Sequence, residues 1–194
     1  ELARSIFGKS YGKNITGQLF INGKEVHLKN EKAAIAAGLA YVTEDRKENG
    51  LVLSQTIREN TTMAKLEKIC KHGIVDMDEE RKVAEDYREK MHTKCPSVEQ
   101  AVGNLSGGNQ QKVLLSKWMF ADPEVLILDE PINGLDPQGI VEVRETIQKL
   151  AKERGMTICI SSHILEELSK IATDYGIIHN GCLVQELTRE ELMR

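Results

Sequence analysis

No stretch of the 194-residue chain stays apolar for the roughly 18 residues that a bilayer crossing requires. A membrane role would therefore need a separate partner. The opening Glu1-Leu2-Ala3-Arg4 lacks the pattern of a cleavable signal, so the chain is expected to remain on the side where it is made. Positive charge is not in excess either. Lys and Arg number 26 against 30 Asp and Glu, a net charge of −4. Global attraction to nucleic acid is thereby disfavoured, and no basic tract restores it locally. None of the four cysteines, Cys70, Cys95, Cys159 and Cys182, stands in a C-x-x-C pair. They read as reduced, partly buried thiols of a cytosolic protein. Repeats and low-complexity linkers are absent. What remains, 40% hydrophobic and 29% charged residues, suits one globular domain with a real core.

The pattern along the chain predicts a mixed α/β fold. Leu2 to Phe7 reads as a short helix, and Gly17 to Val26 as strand, Asn22-Gly23 turn, strand. Asn30 caps a short helix that Gly38 closes. Leu39 to Val42 is an apolar strand, followed by a polar loop from Thr43 to Gly50. From about Thr56 to Thr93 charges are dense and strand signals are missing, which predicts two or three helices with a break near Gly73. Gly107 to Phe120 is helical. Val125 to Leu128 and Thr157 to Ile160 read as strands buried on both faces, separated by a helix over Pro137 to Glu153 that Gly155 ends. A helix over Ile164 to Ala172 and a hairpin around Asn180-Gly181 complete the chain. Strand, helix, strand, helix argues for a parallel sheet, whose ligands sit beyond the carboxyl ends of the strands.

Two polar clusters lie at those ends. Asp129-Glu130 follows the first strand and Ser161-Ser162-His163 the second. Adjacent carboxylates at the end of a buried strand need a cation or a functional proton to balance them. A magnesium nucleotide would do so: one acid reaches the metal and the other deprotonates a water. A solvated acid pair that caps the next turn is the bland alternative. His163, at the same sheet edge, could hydrogen-bond a terminal phosphate, or it could be structural. Leu105-Ser106-Gly107-Gly108-Asn109-Gln110-Gln111-Lys112 opens a helix with two bare glycines, whose uncovered N–H groups and dipole favour an anion.

These segments together resemble a known family. LSGGNQQ looks like the signature motif of ABC ATPases, and VLILDEP resembles their Walker B strand with its catalytic glutamate. Asn133-Gly134-Leu135-Asp136 is similar to their D-loop, and Ser161-Ser162-His163 to their switch-histidine loop. The resemblance implies an ABC ATPase fold, an α/β P-loop NTPase-like core forming a single domain, with a helical subdomain over about residues 52–104. It implies ATP and Mg2+ as cofactors. Asp129 would bind magnesium through water, Glu130 would be the general base, and His163 would sense the γ-phosphate. Ser106, Gly107, Gly108 and Gln110 would serve the ATP of a second, head-to-tail ATPase domain, and Asp136 would communicate across that dimer. Transmembrane permease subunits would be the other partners, at the cytoplasmic face of a bacterial plasma membrane.

Departures from the family pattern are specific. The phosphate loop G-x-x-x-x-G-K-[ST] is missing. Gly8-Lys9-Ser10 does not supply it, because no glycine stands five residues before Gly8 and the run follows a helix instead of opening one. The helix at Leu2 to Phe7 resembles the one just after that loop, so the chain is expected to begin downstream of it, with the N-terminal strands missing too. Glu44 stands where the family carries its Q-loop glutamine. Residues 1 to about 120 resemble the second ATPase half of bacterial monosaccharide importers. From about Ala121 the sequence resembles bacitracin and lantibiotic exporter ATPases instead. Carbohydrate import is the expected function. A non-catalytic half that lends its signature to a partner site, a peptide-exporter ATPase and a soluble non-transport ATPase are the alternatives.

Overall fold

The computed structural model describes residues 1–8 and 15–192, with the Arg154 side chain left aside. They group into two units, Glu1–Ser161 and Ser162–Arg194.

The first unit opens with helix α1 (Leu2–Ile6). Phe7 then turns inward and is buried, its ring 5.5 Å from that of Tyr41 and 5.6 Å from that of Trp118. Strands β1 (Leu19–Ile21) and β2 (Lys24–Val26) pair antiparallel through Asn22 and Gly23, both at positive φ. Helix α2 (Glu31–Ala36) is capped as expected: the Asn30 side chain accepts from the Ala33 N–H. Strand β3 (Leu39–Val42) follows. The segment expected as a loop contains a π-helical turn, Arg46–Gly50, because the Asp45 carboxylate accepts from both the Lys47 and Glu48 N–H groups and nucleates it.

The helical region starts with α3 (Ile57–Thr62), entered by a full capping box between Thr56 and Glu59. A 3-10 stretch, Met63–Ile69, leads into a tiny hairpin of β4 (Cys70–Lys71) and β5 (Ile74–Val75). The break near Gly73 is where it was expected, but the two strands were not. Each is two residues long, too short to give a period. Helix α4 (Met77–Lys90) returns across α3. Between them Arg58 and Glu80, both buried, form an ion pair, and the Thr62 hydroxyl donates to the second Glu80 oxygen at 2.7 Å.

Helix α5 (Gly107–Phe120) is the centre of this unit. Every residue from Gln110 to Phe120 is buried, so the helix is covered on all sides. Strand β6 (Val125–Asp129), helix α6 (Pro137–Arg154) and strand β7 (Thr157–Ser161) complete the unit. The parallel sheet runs β3-β6-β7, with Tyr41 opposite Ile127, and Asp129 opposite Ser161. Leu126, Ile127 and Leu128 of the central strand are buried, as the sequence predicts for it. Strand β7 departs from the same expectation. Among the described residues it is paired on one side only, half-buried at Ile158 and Ile160 and exposed at Thr157 and Cys159, which gives it the alternation of a one-sided strand. Cys159, and Cys182 in the second unit, are exposed rather than partly buried, and all four cysteines are free thiols.

The second unit holds helix α7 (Leu165–Leu168), strands β8 (Asp174–His179) and β9 (Cys182–Thr188), and helix α8 (Arg189–Leu192). Helix α7 is much shorter than the span Ile164 to Ala172 suggests. Ile164 offers no side-chain cap, and the chain leaves the helix through turns after Leu168. The hairpin turns at Asn180 and Gly181, both at positive φ, as the Asn-Gly pair requires.

Candidate functional site

Strand β6 carries Asp129 to the open end of the sheet. Its two carboxylate oxygens accept from two neutral hydroxyls, Tyr41 at 2.7 Å and Ser161 at 2.5 Å. Burial, and then the Asp129 carboxylate beside it, push the Tyr41 hydroxyl well above its ordinary range, so it stays a donor. Neutral donors orient the carboxylate without cancelling its charge. Glu130, the next residue, is held at φ 45, in the left-handed region that side chains other than glycine rarely adopt. Its N–H donates to the Ser161 carbonyl at 3.0 Å and its carbonyl accepts from Asn133 at 3.0 Å. The strain is absorbed by these bonds at the one position where the sequence suggests a catalytic acid. That backbone feature was invisible in the sequence.

The turn after Glu130 reaches a second group of residues. Asn133 Nδ2 donates to Glu44 Oε1 at 3.2 Å. Arg46 donates from Nη1 to the Asn133 carbonyl at 3.1 Å and from Nη2 to the Gly134 carbonyl at 3.4 Å. Glu44 to Lys47 with Asn133 and Gly134 line an open depression of about 440 Å³. Sequence reasoning singled out Glu44 here but gave Arg46 no role.

Helix α5 begins at the same place. A Cβ on Gly107 would lie 2.8 Å from Arg46 Nη2 and 3.3 Å from Leu135 Cδ2. Ser106 is the N-cap residue and makes no side-chain cap bond. Its hydroxyl accepts from Asn109 Nδ2 at 2.9 Å. The first N–H groups of the helix therefore receive no bond from their own cap residue's side chain. Gly108 is buried against Gly139. Gln110, expected at the nucleotide, lies one turn into α5. It is buried and donates to the Val102 carbonyl at 3.4 Å, while its Oε1 is buried with no hydrogen-bond partner among the described residues. Asp136 caps α6, its Oδ1 accepting from Gly139 N–H at 3.0 Å.

Further along, Lys112 is buried and donates to Glu142 at 2.6 Å, while Lys94 reaches the other Glu142 oxygen at 2.9 Å. The hydrogen bond from Lys112, then those from Lys94 and Gln138, hold the Glu142 carboxyl down at about 2. This clamp between α5 and α6 also escaped sequence reasoning, although Lys112 follows the signature-like run directly.

The structure thus gathers Glu44, Gly107, Asn133 and Gly134 around Arg46, and Asp129 with Tyr41 and Ser161. His163 belongs to the second unit, exposed in the bend before α7. Lys9 and Ser10 lie outside the described residues. Gly8 follows α1 at φ 76, and a Cβ there would collide with the Asn30 backbone.

The geometry can be set beside known proteins. Residues 2–133 match the family model described as ABC transporter. The chain belongs to the ABC transporter family. Among similar proteins, the L-arabinose transport ATP-binding protein AraG of Geobacillus stearothermophilus is 47% identical over 191 residues, which cover 98% of this chain and 37% of that protein. The xylose import ATP-binding protein XylG of Geobacillus kaustophilus is 40% identical, covering 98% and 38%. The ribose import ATP-binding protein RbsA of Lactococcus lactis subsp. cremoris is 39% identical, covering 98% and 38%. This ABC transporter chain therefore spans well under half the length of these relatives. A nucleotide-free ATP-binding cassette from an ABC transporter shares its fold at a TM-score of 0.81 and 19% identity, covering 99% of this chain and 77% of that one. A dimeric bacterial ABC transporter cassette does so at 0.78 and 19%, covering 97% and 79%.

Proposed function

We propose that this chain is part of the ATPase of a bacterial carbohydrate importer, one nucleotide-binding domain that works in a head-to-tail pair beneath transmembrane permease subunits. One observation carries the chemistry: an acid pair ends the buried central strand, with Asp129 oriented by two neutral hydroxyls and Glu130 held in a strained backbone. The set fits a magnesium nucleotide. Among the described residues no cluster of three or more His, Cys, Asp or Glu could cage a metal by itself. Magnesium bound through one or two carboxylates, with phosphates and waters filling the other positions, asks for no more than that.

Asp129 would hold the ion through water, and the ion would neutralise charge on the phosphates. Glu130 would accept the proton of the attacking water on its carboxylate. Ser106, Gly107 and Gly108 would offer the uncovered start of α5 to nucleotide bound by the opposite domain. Asp136, already spent in part as a helix cap, would meet that domain too. Glu44 would take the Q-loop position and His163 would sense the terminal phosphate. Gln110 would support the helix from inside.

The transported class follows from the relatives. Proteins named for arabinose, xylose and ribose align across 98% of the chain. The exporter-like segment from Ala121 onward lies within that span, so the alignment supports one importer reading for both segments. No helix among the described residues is long and apolar enough to cross a membrane; permease subunits at the cytoplasmic face would carry the sugar path. The test is the full-length protein with its permease subunits in proteoliposomes. ATP-dependent uptake of labelled pentoses is expected. ATP turnover with efflux of peptides and no sugar uptake would support the exporter alternative.

A further inference from the structure

The strongest unassigned feature is the Arg46 fork. Its two terminal nitrogens grip successive carbonyls, Asn133 and Gly134, in the turn that follows Glu130. The same guanidinium lies over Gly107, close enough that any side chain there would strike it at 2.8 Å. One planar group thus touches the turn after the acid pair and the bare start of α5. Only arginine presents a rigid fork of this kind; a lysine offers a point charge on a flexible stem.

Its own backbone is fixed at both ends of the π-helical turn. Asp45 caps the entry by accepting from Lys47 and Glu48. At the exit, the buried Lys117 ammonium donates to the Gly50 carbonyl at 2.7 Å. A Cβ on Gly50 would press on Leu114 at 2.9 Å, so this exit is packed directly onto α5. Arg46 is therefore mounted on an anchored turn and reaches across to the Asn133–Gly134 turn. Its Nε is buried with no hydrogen-bond partner among the described residues. Folded proteins rarely leave a buried donor unpaired, and one that persists calls for a reason other than stability.

We propose that Arg46 is a positioning residue for ATP hydrolysis, its fork setting the Asn133–Gly134 turn, and through it Glu130, against the Gly107 end of α5. The proposal rests on the ATPase reading above. The link to Glu130 is direct: the Asn133 N–H donates to the Glu130 carbonyl, so a shift of the turn reaches the strained residue. Arg46 contributes geometry, and the proton moves on Glu130.

The test uses the full-length protein assembled with its permease subunits. ATPase kinetics are measured for wild type, Arg46→Ala and Arg46→Lys, with Glu130→Gln as the reference. The expected result is a kcat lower by roughly 10- to 100-fold in Arg46→Ala, the scale of a small misplacement, with KM for magnesium-ATP nearly unchanged. Lysine should rescue little, because it cannot fork. Hydrogen exchange by mass spectrometry should show faster exchange over residues 130–136 in both variants, while the melting temperature moves little. A raised KM with unchanged kcat, or full rescue by lysine, would show a charge contact with nucleotide and overturn the proposal. So would wild-type exchange over residues 130–136. If Glu130→Gln left turnover intact, the ATPase assignment would fail, yet the exchange measurement would still decide whether Arg46 sets the turn.

Discussion

Gly108 and Gly139 meet backbone to backbone where α5 and α6 begin, and a Cβ on Gly108 would lie 3.2 Å from the Gly139 Cα. On the other side a Cβ on Gly139 would sit 2.6 Å from Asp136 Oδ1, the atom that caps α6. Glycine is thus required by closeness and not by conformation, since neither residue has a positive φ. A glycine inside a helix ordinarily gains about 1 kcal/mol when changed to alanine. Here the sign should reverse. Gly139→Ala should destabilise by about 1–3 kcal/mol through crowding and a disturbed cap, measured as a shift of the urea midpoint. Gly108→Asp should fail in two separable ways. It would place an anion where phosphate should sit, so ATP-driven dimerisation of the full-length protein, seen by light scattering, should be lost. It would also crowd a buried contact, so its midpoint should fall too. A variant with wild-type stability would contradict this close approach of Gly108 and Gly139.

Glu130→Gln tests the acid pair. The amide keeps the shape and its bonds to the chain but cannot take a proton. In the assembled transporter ATP binding should persist, while hydrolysis falls by roughly 10²-fold or more. Fluorescent-nucleotide titration and phosphate release measure the two separately. Turnover within a few-fold of wild type would remove Glu130 from the role of base.

The Lys112–Glu142–Lys94 clamp has a defined pH signature. The Glu142 carboxyl is held at about 2 in the folded protein, against roughly 4.3 when unfolded. A depressed acid stabilises the fold fully above its unfolded value, and that stability is lost as pH falls through the folded one. Glu142→Gln should therefore cost about 1–3 kcal/mol near neutral pH, much of it from leaving the buried Lys112 ammonium short of a partner. The gap between wild type and variant should stay flat down to about pH 4.5 and then close toward pH 2. Denaturation midpoints taken across that range give the curve directly. A gap that widened on acidification would exclude the clamp as its source.

The elements that were legible in the sequence are those with a local cause. The α5 span Gly107–Phe120, the Asn30 cap and the Asn180-Gly181 turn each announce themselves by residue type. Asp129 and Glu130 were legible because an apolar strand ended in two acids. What the sequence hid depends on partners far along the chain. Arg46 matters through carbonyls 87 and 88 residues away, which carry no side-chain signal at all. Lys112 reads as one more helical lysine until Glu142, thirty residues on, is brought to it. Strand β7 has the composition of a buried strand, and among the described residues it is paired on one side only, by β6. The burial of Gln110, one turn into α5, was likewise hidden by the polar run in which it stands.

The 194-residue polypeptide made alone should not hydrolyse ATP at a meaningful rate. Within it there is no G-x-x-x-x-G-K-[ST] run, which elsewhere supplies a ring of backbone N–H donors, a lysine for the phosphates and a hydroxyl for magnesium. Gly8 follows a helix, has no glycine five residues before it, and a side chain there would meet the Asn30 backbone. Of the groups proposed to act on the phosphates, Asp129 and Glu130 are acids, and without a compensating cation they repel a triphosphate. The start of α5 favours anions, but it is proposed to serve a neighbour's nucleotide, and an identical neighbour would lack the same loop. Affinity should therefore be about millimolar or weaker. Calorimetry with magnesium-ATP on the purified polypeptide reads it directly, and phosphate release assays follow turnover. Micromolar binding, or phosphate release that Glu130→Gln abolishes, would mean that the phosphates are held somewhere other than beyond β6, and Gly8-Lys9-Ser10 would become the first place to look.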